Sequence, residues 1–441
     1  MMVGHAGSRT GSASQLRRVA SASFVGTTIE WYDFFIYATA AQLVFGTQFF
    51  TDLSPTAANL AAVTSIGVSF VARPLGGIVM GHFGDRVGRR TMLVLALVAM
   101  GVATVGVGML PTYSQIGVAA PVLLVTLRLL QGASAGGEWG GAALMAVEHA
   151  PRHRRGFLGA FPQLGAPAGL VAANGVFSAV SAFTSEAQFD AWGWRVPFLV
   201  SAVLIAVGLF IRLRVEESPE FDRVREQQER VRRPLVQLLR THRKQLLIAV
   251  GVFIANNGIG YILIAFILGY ATSTLGVARN TMLLVIVAGA LFWIVTTLWA
   301  AHWSDTVGRR PVYLVGSVWL LAWSFPFFLL LDTASVPLML LAVLMLAAGL
   351  GMTYGPQSAL YAELFPARVR YSGASFAYAL GAVLGGGIVP FASAALQAST
   401  GTSMSVAAYM FLLGCVSLVA VVLIPETREN VRARFRAEEE G

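Results

Sequence analysis

The sequence predicts an all-α membrane protein of twelve transmembrane helices, arranged as two six-helix bundles related by a pseudo-two-fold axis. Three observations carry that prediction. The 441-residue chain is 56% hydrophobic and only 12% charged, with a mean hydropathy of +0.69, far outside the range of a soluble globular chain. It contains twelve apolar runs long enough to cross a hydrocarbon core of roughly 30 Å, which takes about 20 helical residues. The decapeptide GHFGDRVGRR at 81–90 returns as AHWSDTVGRR at 301–310, between apolar runs in both places.

The runs are continuous rather than alternating at every second residue, which favours helices over membrane strands. The first (20–46) follows Arg17-Arg18 and carries Glu30 and Asp33; it is too long and too charged for a cleaved signal core, so it reads as a retained helix. The second (57–81) and third (91–110) flank the first decapeptide. The fourth (118–147) is rich in glycine, and Gly132 and Gly136 have the spacing that lets helices approach closely. No Lys-Ser or Lys-Thr follows those glycines, so they form no phosphate loop. The fifth (156–183) and sixth (194–213) close the first half. A polar interval rich in Arg, Glu and Gln then reads as a surface helix tying two bundles together. The seventh (245–271), eighth (281–301), ninth (311–331) and tenth (336–361) follow. The eleventh (371–397) carries Gly381 and Gly385 in the same close-packing sense, and the twelfth (405–424) holds the single cysteine, Cys415, as a packing residue. The expected organisation is a tail at 1–19, bundles at 20–213 and 245–425, a linker at 214–244 and a second tail at 426–441.

The basic excess of +9 is explained by its placement. Of 31 Lys and Arg, Arg73 and Arg128 lie inside apolar runs, Arg195 and Arg279 fall on one side of the membrane, and all others fall on the opposite side. That is the positive-inside pattern, and it puts both termini in the cytoplasm. The charge is directed to topology and to lipid headgroups of the bilayer, not to nucleic acid, since no basic patch is interleaved with exposed stacking aromatics. One cysteine excludes an internal disulfide and a Cys-based metal site. None of the six histidines forms an H-E-x-x-H pair, so no metal, no organic cofactor and no enzymatic activity are expected.

The repeat extends beyond one loop. Glu148, Pro151 and Arg155 after the fourth run reappear as Glu363, Pro366 and Arg370 after the tenth. Repeats in register imply parallel halves about an axis along the membrane normal, which is transporter architecture. Acids near helix N-termini and arginines near helix C-ends can hold one side of such a carrier closed and release it in another state. Asp85, Arg86, Arg89, Arg90, Glu148, Arg155, Asp305, Arg309, Arg310, Glu363 and Arg370 are assigned to this cytoplasmic gate. The bland alternative, that the arginines only set topology, does not explain why acids and glycines recur with them at fixed spacing.

Ionisable groups within the hydrocarbon are costly and are functional candidates by default. Glu30, Asp33 and Tyr37 share a face of the first helix at i, i+3 and i+7. Arg128, Gln131 and Glu138 occupy an arc of roughly 80° on the fourth. The two faces are expected to meet, with Asp33 and Arg128 at comparable depth as a buried acid and base whose protonation follows substrate occupancy. A permanent ion pair that fixes helix packing is the alternative, and Glu30 and Asp33 could share one proton. Arg73 suits either substrate guidance or packing. The second half offers uncharged groups, Asn256, Asn257 and Tyr261 in the seventh helix and Tyr354 and Gln357 in the tenth. The cavity is therefore expected to be charged on one wall and hydrogen-bonding on the other.

The segments GTTIEWYDFFIY (26–37), ARPLGGIVMGHFGDRVGRR (72–90), RLLQGASAGGEWGGA (128–142) and ELFPARVRYSGAS (363–375) together resemble the metabolite:proton symporter family of the major facilitator superfamily, over essentially the whole chain. The resemblance implies the major facilitator fold, a bacterial inner membrane, and uptake of shikimate, 2-oxoglutarate, citrate, other carboxylates, or proline and betaine, with a proton as the coupling ion. It also implies that Glu30, Asp33, Arg128 and Glu138 form the coupling and substrate centre. Two departures limit it: Thr306 stands where the first loop has Arg86, and the tail after Pro425 lacks the heptads of an extended coiled coil. The leading expectation is a monomer that takes up a small carboxylate or zwitterion with a proton. A drug exporter on the same fold would want an acid within spans seven to twelve, and a polytopic enzyme or sensor would want catalytic or signalling residues; neither is found.

Overall fold

The computed structural model describes residues 13–87, 89–135, 143, 146–147, 150–214, 240–366 and 370–424, with side chains described within 24–76, 94–135, 143, 146–147, 150–151, 153–210, 240–366, 370 and 373–424. Among these, twelve helices follow the twelve apolar runs: α1 (Ala13–Ala40), α2 (Pro55–Val87), α3 (Arg89–Met109), α4 (Ala119–Ser134), α5 (Phe161–Phe183), α6 (Val196–Arg214), α7 (Arg243–Ala265), α8 (Arg279–Val307), α9 (Arg309–Leu331), α10 (Val336–Tyr354), α11 (Arg370–Ala382) and α12 (Met404–Val422). In hydrocarbon every backbone amide and carbonyl must be bonded within its own segment, so helices are the form these runs adopt. Most of the linker's expected range, 215–239, lies outside the described residues, as do residues 425–441 with the expected C-terminal tail. The first helix begins at Ala13, earlier than its apolar run, and so takes in part of the expected tail.

The pairing of helices displays the duplication. Within the first half α1 packs on α5, α2 on α4, and α3 on α6; within the second, α7 packs on α11, α8 on α10, and α9 on α12. Each pair recurs six helices later. The halves meet along α5 against α8 and α2 against α11, a pair of contacts that a two-fold axis exchanges. Gly132 shows what the small residues of α4 are for. A Cβ there would collide with the backbone of Ser69 on α2, so α2 and α4 touch main chain to main chain. The outer faces carry large apolar side chains in the open, such as Val71, Val102 and Leu329 at 60–63% exposure, which is the pattern of a lipid-facing surface rather than a water-facing one.

Several helices are interrupted where the hydropathy is smooth. A π-helical turn, Ala41–Phe45, extends α1, and another, Val383–Gly387, joins α11 to the helix Val389–Thr400. Phe266 breaks α7 from its continuation Ile267–Ser273, and Gly355-Pro356 breaks α10 from Gln357–Leu364. Proline lacks the amide that would continue α10, and interruptions of this sort are tolerated only where neighbouring helices cover the freed backbone.

Candidate functional site

The polar groups of α1, α4, α7 and α10 converge between the halves. Arg128 of α4 is wholly buried. Its guanidinium carbon sits 4.1 Å from the ring centre of Phe34 and 4.0 Å from that of Tyr37, within cation–π range. Its Nη1 donates to Gln131 Oε1 at 2.5 Å, while Nε and Nη2 have no hydrogen-bond partner. Gln131 in turn donates to the main-chain carbonyl of Asp33 (3.1 Å) and to Thr104 (3.0 Å).

Asp33 is also wholly buried. Its Oδ1 accepts from Ser201 of α6 at 2.6 Å, and no ion pair joins it to Arg128 among the described residues. The expected acid and base pair is thus replaced by a relay, in which the Gln131 amide connects the guanidinium to the backbone of Asp33. Phe34 and Tyr37, one and four residues on, meet the guanidinium, while the Asp33 carboxylate is taken by hydroxyls of α6 and α3, Ser201 and Thr104.

Arg73 of α2 stands over the same aromatic group, 4.9 Å from Phe34, 4.7 Å from Phe70 and 5.7 Å from Trp31. Phe34, Phe70 and Tyr261 meet edge to face with centroids 5.2–6.0 Å apart, so the ring of Phe34 carries a guanidinium from each of two helices. Glu30 lies half-buried on the same face of α1, within electrostatic reach of Tyr354 and Tyr378. Across from these, Asn257, Tyr261, Trp293 and Tyr354 line a cavity of ≈ 20 Å³ closed on the first-half side by Trp31, room for about one water. Asn256 also borders it, yet its amide is spent on Leu350 O (3.1 Å) and Thr353 (2.6 Å), holding α7 to α10. Gln357 is buried beyond the break in α10, beside Tyr361, and does not border the cavity. Glu138 lies outside the described residues.

On the face where the decapeptide loops lie, a second cluster joins the halves. Both carboxylate oxygens of Asp305, at the end of α8, accept from main-chain amides leading into α5: Gly156 at 2.8 Å and Phe157 at 2.9 Å. Arg309 donates to Asp305 (2.6 Å) and to Glu363 (3.4 Å), with Arg155 in electrostatic reach of Glu363. Gly308, between Asp305 and Arg309, adopts φ 105°, ψ 162°, a region open essentially to glycine alone; this is why the decapeptide needs that glycine. Arg310 instead binds Val422 O at the end of α12 (2.8 Å), and Arg370 binds Phe365 O (3.3 Å). Asp85, Arg86, Arg89, Arg90 and Glu148 lie outside the described residues or side chains.

The opposite face is also joined. Gln42, on the π-turn of α1, donates to Ile264 O (2.8 Å) and accepts from Gly269 N (3.2 Å), on either side of the break in α7. Ser178 of α5 bonds Asn280 of α8. With both faces bridged, the central residues are enclosed.

The sequence pattern did not mark Ser201, Thr104, Phe70 or Trp293. Hydroxyls and aromatics are ordinary in membrane helices, so only their partners identify them. The sequence model of the Major Facilitator Superfamily matches residues 23–390 and 248–440. The inner membrane metabolite transport protein YhjE of Escherichia coli is 41% identical, covering 94% of this chain and 95% of its own. The shikimate transporter of the same organism is 40% identical over 95% and 96%, and its proline/betaine transporter 32% over 94% and 84%. In fold, the chain is similar to the xylose transporter XylE of E. coli in a partially occluded inward open conformation, with a TM-score of 0.74 at 20% identity, covering 94% and 99% of the two chains. The chain therefore belongs to the Major Facilitator Superfamily, as a multi-pass membrane transporter of metabolites in its metabolite:proton symporter family.

Proposed function

We propose that the protein takes up a small organic acid together with a proton, with Arg128 as the anchor of the solute's carboxylate and Asp33 as the proton carrier. The observation that carries this reading is Arg128: a guanidinium wholly enclosed in protein, with two nitrogens unbonded and, among the described residues, no carboxylate in ion-pair reach. A buried cation left so is costly, and a solute carboxylate that engages the fork of donors would repay that cost. Arg73 adds positive potential beside the same ring. Asp33 is held by the hydroxyls of Ser201 and Thr104 and, among the described residues, pairs with no cation, so neutralising its charge takes a proton. A zwitterion would need Glu30 as its counterpart. We place the protein in a bacterial inner membrane as a monomer, with both termini cytoplasmic.

The test is uptake into energised proteoliposomes with a panel of shikimate, 2-oxoglutarate, citrate, proline and betaine while the outer bath pH is recorded. One of the acids should enter and alkalinise the bath; solute entry with no proton movement would remove the symport reading.

The Asp305 cluster serves in this scheme as the cytoplasmic gate, its carboxylate held by main-chain amides of the short helix Arg155–Gly159. A Cβ at Gly156 would lie 2.6–2.8 Å from Ser304 Oγ, Arg309 Nη1 and Ala301 O, so Gly156→Val should wedge the gate open. In a Cys415→Ser background, a reporter cysteine at Ser358, buried where α10's continuation meets the short helix Arg155–Gly159, should then react several times faster with an impermeant thiol reagent from the cytoplasmic side. Unchanged labelling would argue that the Asp305 contact does not control access.

A further inference from the structure

We infer that the second-half wall of the site reads hydroxyl groups, so that the acid carried is a hydroxylated one rather than a plain dicarboxylate or a quaternary ammonium. The inference rests on the carboxylate reading of Arg128 and adds the chemistry of the solute's body. Three polar atoms on that wall have no hydrogen-bond partner: Asn257 Oδ1, Tyr261 Oη and Trp293 Nε1. All three side chains are more than nine-tenths buried, and all border the same cavity. Asn257 and Tyr261 stand one helical turn apart on α7 and face one way. Trp293 reaches in from α8, its ring 5.6 Å from that of Tyr354.

The three atoms are complementary to hydroxyl chemistry. An indole N–H only donates, the amide oxygen of Asn257 only accepts, and the tyrosine does both. Adjacent hydroxyls on a small ring, each donor and acceptor at once, satisfy such a mixed set. A second carboxylate satisfies it poorly, since it cannot donate to Asn257 Oδ1.

The aromatic lining suggests a rival. Trp31, Tyr261, Trp293 and Tyr354 offer ring faces of the kind that cage a quaternary ammonium. Such a group has no hydrogen-bonding atoms, however, and would leave all three polar atoms buried and unpaired. It would also face Arg73 and Arg128, both standing over the adjoining Phe34.

A site built around polar partners discriminates strongly against ligands that lack them, and this sets the experiment. Purified full-length protein in nanodiscs is titrated calorimetrically with shikimate, a trihydroxylated cyclohexene carboxylate, with cyclohexanecarboxylate, and with glycine betaine. Shikimate should bind about a hundredfold or more tighter than cyclohexanecarboxylate, and the ratio should shrink about tenfold in each of Asn257→Leu and Trp293→Phe. Tyr261→Phe, which removes one oxygen, gives the same readout if either variant fails to fold. A ratio near one, a ratio unmoved by all three substitutions, or betaine binding tighter than both acids would overturn the hydroxyl reading. If cyclohexanecarboxylate binds with a ratio near one and its binding is lost in Arg128→Gln, the carboxylate anchor stands and only the hydroxyl reading falls. If neither acid binds wild-type protein, both readings fall together.

Discussion

Arg128→Gln is expected to weaken binding of the transported acid by roughly 10²- to 10³-fold, while leaving the purified protein at least as thermostable as wild type. The first half follows from the enclosure of the site. Removing one partner of a buried ion pair costs about 3–5 kcal/mol, because the other charge remains desolvated and unpaired, and about 1.4 kcal/mol is tenfold in affinity. The second half follows from the state of the arginine without its solute. It makes one side-chain hydrogen bond, to Gln131, and otherwise rests on the rings of Phe34 and Tyr37, so its deletion removes an uncompensated charge rather than a structural pair. Arg128→Lys keeps the charge and loses the planar fork, and should fall between wild type and Arg128→Gln. Binding by calorimetry and melting of the detergent-solubilised protein separate the possibilities. A variant that binds normally, or one that loses binding only because its melting temperature collapses, would return Arg128 to a packing role.

The architecture was legible because hydrocarbon imposes a length and an apolar composition on every span, and because the doubled decapeptide fixes how the spans divide. The polar residues of the centre were legible for a related reason: a Glu, Asp or Arg inside an apolar run is too costly to be incidental. What each of them touches was not. Asp33 and Arg128 read from the sequence as partners, yet the acid goes to Ser201 and the arginine to Phe34 and Tyr37. Asn256 and Asn257 are adjacent and chemically identical, but one amide ties α7 to α10 and the other keeps a free oxygen at the cavity. Only packing between helices distinguishes them. The π-turns at Ala41–Phe45 and Val383–Gly387 leave no mark on hydropathy, although the first presents Gln42 to the break in α7. For the proposed gate, repetition named Asp305, Arg309 and Glu363 together, and only the folded chain brings Gly156 and Phe157 to that acid from the other half.

Asp33→Asn should separate exchange from accumulation. The amide is nearly isosteric with the acid and keeps an oxygen to accept from Ser201, so α1 stays docked on α6 and the substrate face of α1, with Phe34 and Tyr37, stays in place. It cannot exchange a proton between the two sides. Counterflow of labelled solute between loaded vesicles and bath, which needs only that the loaded carrier alternate, should persist near the wild-type rate. Net uptake against a gradient should vanish. With one proton per solute, a pH difference of one unit is worth about 1.4 kcal/mol and supports about tenfold accumulation of a solute carried with it; the variant should stop at equal concentrations, and solute addition should no longer alkalinise the bath. The two measurements discriminate between roles for the buried acid. Loss of counterflow together with accumulation would make Asp33 a structural partner of Ser201. Unchanged accumulation would pass the proton to Glu30, half-buried on the substrate side of the same helix, or to Glu138, and the same pair of assays on Glu30→Gln and Glu138→Gln would then decide between those two.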